Sequence, residues 1–349
     1  MDHIQRYNRD RARFLAGEPQ FVVFQIMQQM ALYSTTPHNL TICVAIPTYL
    51  REGVLLDTVR QVLVQDPLAD EILVIDQTPE HEANTESSLK EWHESGKITW
   101  IKHSPPNLPG ARNRALRETK CDIIIFIDDD VVIEHDFVRR HFHNYKDPET
   151  AAVGGRIIQE GKRKPRTPKK PWPRVMDPVF FDHSGKVRVS GIASFQGCNH
   201  SARVKVLRAI GGFDETYIGL AHREESDVAI RLWKAGYRID FDPEAVLTHL
   251  AASSGGCRKH DSMREWKISF PSLYFSVRHW FPNRWFWQHI FIKGIRTFVL
   301  RRENVVRPWL LPWAFAAYWY ALARAFSIAN KPARAYEPAG WVEDDPSSR

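Results

Sequence analysis

Three consecutive aspartates, Asp128, Asp129 and Asp130, follow an unbroken apolar run at residues 123–127. Such a run is typical of a strand covered on both faces, as in a parallel sheet, and ligands of open α/β sheets bind beyond the carboxyl ends of strands. Adjacent carboxylates repel one another unless a cation such as Mg²⁺ or Mn²⁺ offsets their charge. The run therefore predicts either a divalent-cation site or an acidic turn that caps a helix at residues 131–145.

The elements that would hold these aspartates alternate between strand and helix. The predicted strands are residues 41–47, 71–76, 98–102 and 122–128, and the predicted helices between them are residues 54–65, 81–95 and 108–119. This order predicts a mostly parallel sheet with right-handed crossovers. Farther along, strands are predicted at residues 151–157, 238–241 and 245–250, and helices at residues 203–210 and 225–235.

Composition narrows the class of protein. The chain has 349 residues, enough for one large α/β domain with appendages or for two small domains. Its net charge of +7 matches the seven Lys and Arg of residues 162–174, a Pro-rich segment without acids. Charges elsewhere balance, which argues against a general nucleic-acid binder. The segment is either a solvated linker or a contact for phosphates. The four cysteines show no CxxC spacing, so we expect a reducing cytosol.

Aromatic residues dominate the end of the chain, where eight of the twelve tryptophans lie within residues 266–341. One apolar stripe at helical spacing consists of Trp287, Phe291, Ile295 and Phe298. Residues 308–323 carry no charge, but they are shorter than the roughly 20 residues that span a bilayer. The region is either a buried helical subdomain or an interfacial patch, and the recurrence of aromatic with basic residues favours contact with a membrane surface.

Six motifs occur in register along the chain. They are VAIPTYLRE (44–52), EILVIDQT (71–78), GARNRAL (110–116), FIDDD (126–130), GCNHSARVKVLRAIGGFDE (197–215) and REESDVAIRL (223–232). In this order they resemble an inverting family 2 glycosyltransferase with the GT-A fold, over about residues 41–250. The resemblance implies an α/β, Rossmann-like fold with a mostly parallel central sheet, followed here by a helical, aromatic-rich C-terminal extension.

The resemblance also implies a metal centre. Asp128 and Asp130 match the family's DxD element and would hold Mn²⁺ or Mg²⁺, with Asp128 or Asp129 also reaching the ribose or metal-bound waters. His249, at the end of a predicted strand, would be the third protein ligand, unless it is structural. The cation would act as a Lewis acid on the departing diphosphate.

Further positions match the family's contacts with the nucleotide sugar. Asp76 would accept a hydrogen bond from the base, unless it caps the helix that starts near His81. Arg112 would lie near base and diphosphate, unless it forms a salt bridge on a helix face. Gly197 would let the sugar approach the backbone, unless it marks a β-bulge. The full predicted set is Pro47, Thr48, Tyr49, Arg51, Glu52, Asp76, Arg112, Asp128, Asp129, Gly197 and Asn199.

Glu224 and Glu225 match the family's Glu-Asp pair, whose second member is the general base. The match selects Glu225, since a carboxylate with a raised pKa can take a hydroxyl proton. Glu in place of Asp, and Arg223 in place of a common Gly, depart from the pattern and leave Glu224 as the alternative base. Two acids at a helix start could also be partners of the helix dipole.

The resemblance therefore predicts a metal-dependent, inverting hexosyltransferase. It would move a sugar from a nucleotide diphosphate, with a UDP-sugar favoured, to a hydroxyl of a glycan or lipid-linked acceptor. The alternatives are a non-catalytic GT-A scaffold at the membrane surface and a sugar nucleotidyltransferase, which would need a Gly-rich loop after the first strand. We expect a cytoplasmic protein, peripheral at the inner face of the plasma membrane, with an anionic membrane surface but no nucleic acid as partner.

Three regions are predicted along the chain. Residues 1–39 form a helical appendage, with a helix at residues 21–33 and a terminus too charged for a signal peptide. Residues 40–260 form the GT-A domain. Residues 261–349 form a helical region that contacts membrane.

Overall fold

The protein is described by a computed structural model over residues 40–159, 181–219, 221–252, 254–256 and 266–329. Several predictions fall outside these residues: the appendage at residues 1–39 with its helix at residues 21–33, the basic segment at residues 162–174, and Cys257.

The first part of the chain forms four parallel strands joined by helices. In chain order the elements are β1 (Ile42–Thr48), α1 (Gly53–Leu63), β2 (Glu71–Asp76), α2 (Ala83–Glu94), β3 (Thr99–Lys102), α3 (Leu108–Glu118) and β4 (Ile123–Ile127). Their strands lie side by side in the order β3-β2-β1-β4, and each neighbouring pair is parallel. The predicted alternation is thereby confirmed.

The second part completes a nine-stranded sheet with mixed pairing. Its elements are β5 (Val131–Ile133), α4 (Phe137–His143), the 3₁₀ turn Asn144–Lys146, β6 (Thr150–Gln159), β7 (Val189–Ser190), β8 (Asn199–Arg203), α5 (Val204–Ala209), α6 (Glu224–Lys234) and β9 (Arg238–His249). The sheet continues from β4 in the order β8-β6-β9-β5, with β7 also paired to β9. Strand β8 is antiparallel to β4 and β6, whereas β6 and β9 are parallel.

The last part of the chain that the structure describes, residues 266–329, is helical, as predicted. It contains α7 (Trp266–Trp280), α8 (Arg284–Gln288), a π-helix (His289–Val299), α9 (Arg302–Val306), the 3₁₀ turn Pro308–Leu310 and α10 (Leu311–Ala329). Among the described residues, no helix has the length and apolar character needed to cross a membrane.

Three groups of buried side chains hold these elements together. One lies on each face of the sheet, with Phe126 in the first and Ile125 in the second, because successive side chains of β4 point to opposite faces. The third packs α7 and α10 against Tyr217, Ile230 and Trp233 of the preceding domain. The helical region therefore shares a core with α6.

The alternative prediction of a helix at residues 131–145 is wrong over its first half. Residues 131–133 form β5, which pairs antiparallel with β9 so that Val131 lies opposite His249. Only the later residues form the short helix α4. The pairing partner lies more than a hundred residues away in the chain, so tertiary contacts override the local pattern.

Candidate active site

Asp128 and Asp130 meet His249 at the end of β4. The antiparallel pairing of β5 with β9 brings His249 beside the aspartates. Its Nε2 atom lies 3.5 Å from Oδ2 of Asp128 and 3.1 Å from Oδ1 of Asp130. One ligand atom from each residue lies within 4.8 Å of the others. Two carboxylate oxygens and an imidazole nitrogen at this spacing fit a Mn²⁺ or Mg²⁺ ion, and Mn²⁺ suits the nitrogen better.

Asp130 is held so that one oxygen faces His249. Its Oδ2 atom accepts hydrogen bonds from the backbone N–H of Ala252 at 2.8 Å and from Nη2 of Arg51 at 3.1 Å. Its Oδ1 atom points to His249. Hydrogen bonds from His249 and Ala252, with the charge of Arg51, outweigh desolvation by burial and lower the pKa of Asp130. The carboxylate is thus kept ionised, as a metal ligand must be.

The negative charge of the aspartates also changes the pKa of His249. Hydrogen bonds to Asp128 and Asp130 raise its pKa to about 9 in the absence of a cation. A protonated imidazole therefore balances two carboxylates where a divalent ion would do so when bound. Asp128 is the more accessible of the two carboxylates, and its side chain is one-third exposed.

Asp129 points away from this cluster, as the middle residue of an extended segment does. Its carboxylate accepts a hydrogen bond from the Thr48 hydroxyl at 2.7 Å and lies 3.3 Å from Nε of Arg51. Burial raises its pKa to about 7, against the opposing effects of Arg51 and Thr48. Asp129 therefore joins the ends of β1 and β4, and in this conformation its carboxylate does not face a ligand.

Arg51 is buried between the aspartates at the end of β4 and the segment that contains Ser254. Besides Asp129 and Asp130, its guanidinium donates to the carbonyl of Ser254. Gly255 lies so close to this segment that an added Cβ would come within 2.1 Å of the Leu50 carbonyl oxygen. The structure thus places Arg51 as a counter-ion of the aspartates, and its predicted reach to the nucleotide remains a prediction.

Asp76 lies at the end of β2 at the centre of a polar cluster. Its Oδ2 atom lies 2.9 Å from each of His81 Nε2, Trp100 Nε1 and Lys102 Nζ, and Oδ1 accepts from the Thr78 N–H at 2.9 Å. Although burial opposes ionisation, these donors lower the pKa of Asp76 far below its usual range. The carboxylate therefore stays charged, but its oxygens already accept hydrogen bonds from the N–H of Thr78 and from three side chains.

Arg112 is buried beneath the opposite side of the site. Its guanidinium forms an ion pair with Glu224, donates to the Gly197 carbonyl at 3.0 Å and lies 3.8 Å from Oδ1 of Asp128. A Cβ at Gly197 would come within 2.8 Å of Nη2 of Arg112. Glycine at this position is thus explained by the close approach of Arg112, independently of any approach by a sugar.

Glu225 follows Glu224 at the start of α6 and is partly exposed. Desolvation by the surrounding protein raises its pKa, and the charge of Asp128 acts in the same direction, whereas Arg112 and Arg223 oppose it. A carboxylate with a raised pKa beside a candidate metal centre fits a general base. Glu224, in contrast, is buried and engaged by Arg112.

The remaining predicted residues include some at the ends of strands near the site and one buried inside the protein. Pro47 and Thr48 are buried at the end of β1, and Tyr49 follows them with its carbonyl accepting from the Gly256 N–H at 2.7 Å. Glu52 contacts His81 at 3.1 Å. The Asn199 side chain is fully buried and bonds to the His141 imidazole of α4 and to the carbonyls of Arg156 in β6 and Ala245 in β9. The predicted contact of Asn199 with a sugar remains a prediction, one for which its side chain is not oriented.

Sequence reasoning missed the partners of Asp76. Lys102 ends β3 directly opposite Asp76 in the parallel register, and Trp100 lies two residues before it on the same face. Recognising that two neighbouring strands end with charges of opposite sign could have found Lys102. His81 gave no comparable signal, because it reaches Asp76 through the connection to α2.

Comparisons of the sequence with known proteins find similar glycosyltransferases. Residues 43–211 match the family model "Glycosyl transferase family 2". The O-antigen chain rhamnosyltransferase RfbN of Salmonella typhimurium is 29% identical over 224 residues, which is 60% of this chain. The chain spans 66% of that relative's length.

Solved structures agree on the fold alone, because their sequence identities are low. The S. aureus TarS fragment 1–349 in complex with UDP-GlcNAc superposes with a TM-score of 0.56 at 13% identity, covering 82% of this chain and 83% of that one. GalNAc-T7 with UDP, GalNAc and Mn²⁺ gives 0.51 at 17% identity, covering 70% and 48%. The predicted GT-A fold is confirmed, and the resemblance to glycosyl transferase family 2 is confirmed over residues 43–211 by the match to the family model.

Proposed function

We propose that the chain is a metal-dependent, inverting glycosyltransferase that moves a sugar from a nucleotide diphosphate to a hydroxyl group. The observation that supports this most is the convergence of Asp128, Asp130 and His249 within 4.8 Å. A divalent cation held there would supply Lewis-acid stabilisation of the leaving diphosphate. The donor set favours Mn²⁺ or Mg²⁺, and the solved structure of GalNAc-T7 contains Mn²⁺ with UDP.

The transfer is a direct displacement at the anomeric carbon. Glu225 takes the proton of the acceptor hydroxyl while the acceptor oxygen bonds to that carbon from the face opposite the leaving group. The bond from the carbon to the diphosphate oxygen breaks, and the electron pair leaves with the nucleotide diphosphate. An α-linked donor therefore gives a β-linked product. Arg112, which holds Glu224 beside Asp128, positions the start of α6 in this reaction.

The donor and acceptor form the finer part of the proposal. A UDP-sugar is the favoured donor, and TarS, of the same fold, has been solved with UDP-GlcNAc. Asp76 and Arg112 are proposed to hold the nucleotide, since Asp76 ends β2 of the same sheet and Arg112 lies 3.8 Å from Asp128. The acceptor is a hydroxyl of a glycan or of a lipid-linked saccharide. For the second acceptor, we propose a cytoplasmic protein that is peripheral at the inner face of the plasma membrane.

A thermal-shift series with UDP, GDP and dTDP and their sugars, each with and without Mn²⁺, tests the donor site. We expect one nucleotide to raise the unfolding temperature only with Mn²⁺, because a ligand at 100 times its Kd stabilises by about 2.7 kcal/mol. Asp130→Ala and His249→Ala should abolish the Mn²⁺-dependent part of the shift. Asp57→Asn, on the exposed face of α1, is the matched control and should leave it unchanged.

Two results would oppose the proposal. A Mn²⁺-dependent shift that persists in both Asp130→Ala and His249→Ala would show that Mn²⁺ binds at another site. Nucleotide binding without release of sugar from any donor tested, with or without acceptors, would instead support the non-catalytic scaffold.

A further inference from the structure

An uninterrupted row of aromatic rings lies on the surface of the helical region. Neighbouring ring centroids are 5.1 to 6.3 Å apart from Phe326 through Phe281, Trp287, Phe291 and Trp319 to Phe315. We call these six residues the aromatic ridge. It joins three elements, α8, the π-helix and α10, with the turn that precedes α8.

The ridge is accessible to solvent along most of its length. Trp287 is 48% exposed and Phe291 is 50% exposed, and their rings stack nearly parallel, at 12°. Phe281 and Phe315 are also exposed, whereas Trp319 is half-buried. Scattered surface apolar residues need no explanation, but a contiguous patch of this kind marks an interaction site.

The charge of the region is strongly one-sided. Within residues 266–329 the only acidic residue is Glu303. The same residues include nine basic ones: Lys267, Arg278, Arg284, Lys293, Arg296, Arg301, Arg302, Arg307 and Arg324. Two of these, Lys293 and Arg296, are exposed on the π-helix that also exposes Phe291 and Ile292. The π-helix therefore exposes both aromatic and cationic side chains.

We infer that the aromatic ridge and its basic neighbours bind the surface of an anionic phospholipid bilayer. Aromatic rings at the headgroup level, with Lys and Arg at the phosphate level, are the chemistry of an interfacial element. A second copy of the chain is a poorer partner, because it would place two cationic surfaces against each other.

This inference deepens the proposed function by assigning contact with the lipid surface to named residues, and it can fail separately from the proposed sugar transfer. Lipid binding is measured without donor, metal or acceptor. A protein that binds lipid but transfers no sugar would therefore leave this inference in place, and the reverse result would leave the proposed function in place.

Co-sedimentation of the full chain with vesicles tests the surface. We expect binding to vesicles of phosphatidylcholine with phosphatidylglycerol, weaker binding to phosphatidylcholine alone, and a loss of binding as salt rises from about 0.05 to 0.5 M. Trp287→Ala with Phe291→Ala should lower the affinity about tenfold or more. The matched control is Val64→Ala with Leu68→Ala, two exposed apolar residues beyond α1, and it should bind like the unaltered protein.

A second variant guards against misfolding of the first. Lys293→Glu with Arg296→Glu leaves the rings intact and should lower the affinity for the anionic vesicles about tenfold or more. Its affinity for phosphatidylcholine should not change. Unfolding temperatures of both variants should match that of the unaltered chain.

Four outcomes would overturn the inference. The first is equal binding of the unaltered chain and both variants to anionic vesicles, and the second is no binding by the unaltered chain at low salt. The third is a concentration-dependent dimer, seen by sedimentation velocity, that Trp287→Ala with Phe291→Ala abolishes. Binding that appears only after deletion of residues 1–39 would likewise overturn it, since that segment would then be the occupant of the ridge.

Discussion

Arg112 separates the roles of the two adjacent glutamates. Its guanidinium pairs with Glu224, which is buried, and a neighbouring cation keeps a carboxylate deprotonated but weakens it as a base. Glu225 is partly exposed, and its pKa is raised by desolvation. The geometry thus supports Glu225 as the proposed base and Glu224 as the residue that holds Arg112.

Glu225→Gln should therefore remove proton transfer and little else. We expect kcat to fall by about 10²–10⁴-fold, the usual contribution of general base catalysis, while the affinity for the nucleotide sugar stays unchanged. Glu224→Gln should instead weaken donor binding, because Arg112 loses its partner. Steady-state kinetics and titration of donor binding on both variants distinguish these effects.

The pH dependence gives a second measurement of the same assignment. Because its pKa is raised, Glu225 becomes protonated at a higher pH than an ordinary glutamate, whose pKa is about 4.3. As the pH is lowered, transfer should therefore be lost before the pH reaches that ordinary value. This acidic limb should disappear in Glu225→Gln. If Glu224→Gln abolishes turnover and Glu225→Gln retains it, the assignment is reversed.

At the scale of elements, α7 contacts the first turn of α6. Arg223, the residue before α6, has a positive φ of 74°, and its guanidinium lies 4.8 Å from the ring centre of Phe275 and 5.3 Å from that of Trp280. One turn later, Asp227 contacts His279 at 2.7 Å. Cation–π and charge-assisted contacts thus connect the helix with the proposed base to the helical region.

We expect Trp280→Leu to act on turnover more than on donor binding. Loss of the indole allows Arg223 and the first turn of α6 to shift, and small misplacements near reacting groups can lower rates by about 10–100-fold. The affinity for the nucleotide sugar, which depends on other strand ends, should change little. The comparison is kcat against donor affinity, with Lys267→Ala at the other end of α7 as the control. A parallel loss of both quantities, with a lowered unfolding temperature, would indicate a purely structural role for Trp280.

Elements with a strong local pattern could be predicted from the sequence. The apolar run of β4 and the alternation from β1 to α3 were identified nearly to the residue, because each segment shows its own period. β9 was predicted as two strands around Pro243, but the structure keeps it as one, with an irregular register between Asp242 and Val246. A bulge accommodates the proline, and bulges depend on the partner strand.

The helical stripe illustrates the other limit. Trp287 and Phe291 were predicted on one apolar face at a period of 3.6 residues. Trp287 instead ends up in the short helix α8, and Phe291 lies in the π-helix that follows, whose wider turn buries Ile290 and Gly294. Both rings are half-exposed. The Tyr318 hydroxyl donates to the Ile290 carbonyl at 2.8 Å, and an added Cβ at Gly294 would clash with that hydroxyl at 2.2 Å. Such packing is not visible in the local sequence.

At the scale of the whole molecule, the helical region and the sheet domain are joined by a common hydrophobic core and by hydrogen bonds to a buried carboxylate. Tyr217, Ile230 and Trp233 pack among residues of α7 and α10. The buried carboxylate of Asp214 accepts hydrogen bonds from Tyr274 at 2.8 Å and from Arg278 at 3.1 Å. Removing the partner of a buried charge is costly, about 3–5 kcal/mol, so neither region is expected to unfold alone.

Leu322→Ala in α10 should consequently destabilise the entire described structure. Leu322 is buried in the shared core, and truncation of a buried leucine costs about 2–5 kcal/mol. We expect one calorimetric transition, with equal calorimetric and van't Hoff enthalpies, whose midpoint falls in this variant. The temperature at which donor binding is lost should fall with it. Leu300→Ala, at a half-exposed leucine of the same region, should shift neither. If two transitions appear and only one moves, the boundary predicted near residue 260 separates two independent domains, and the contacts between α6 and α7 do not unite them.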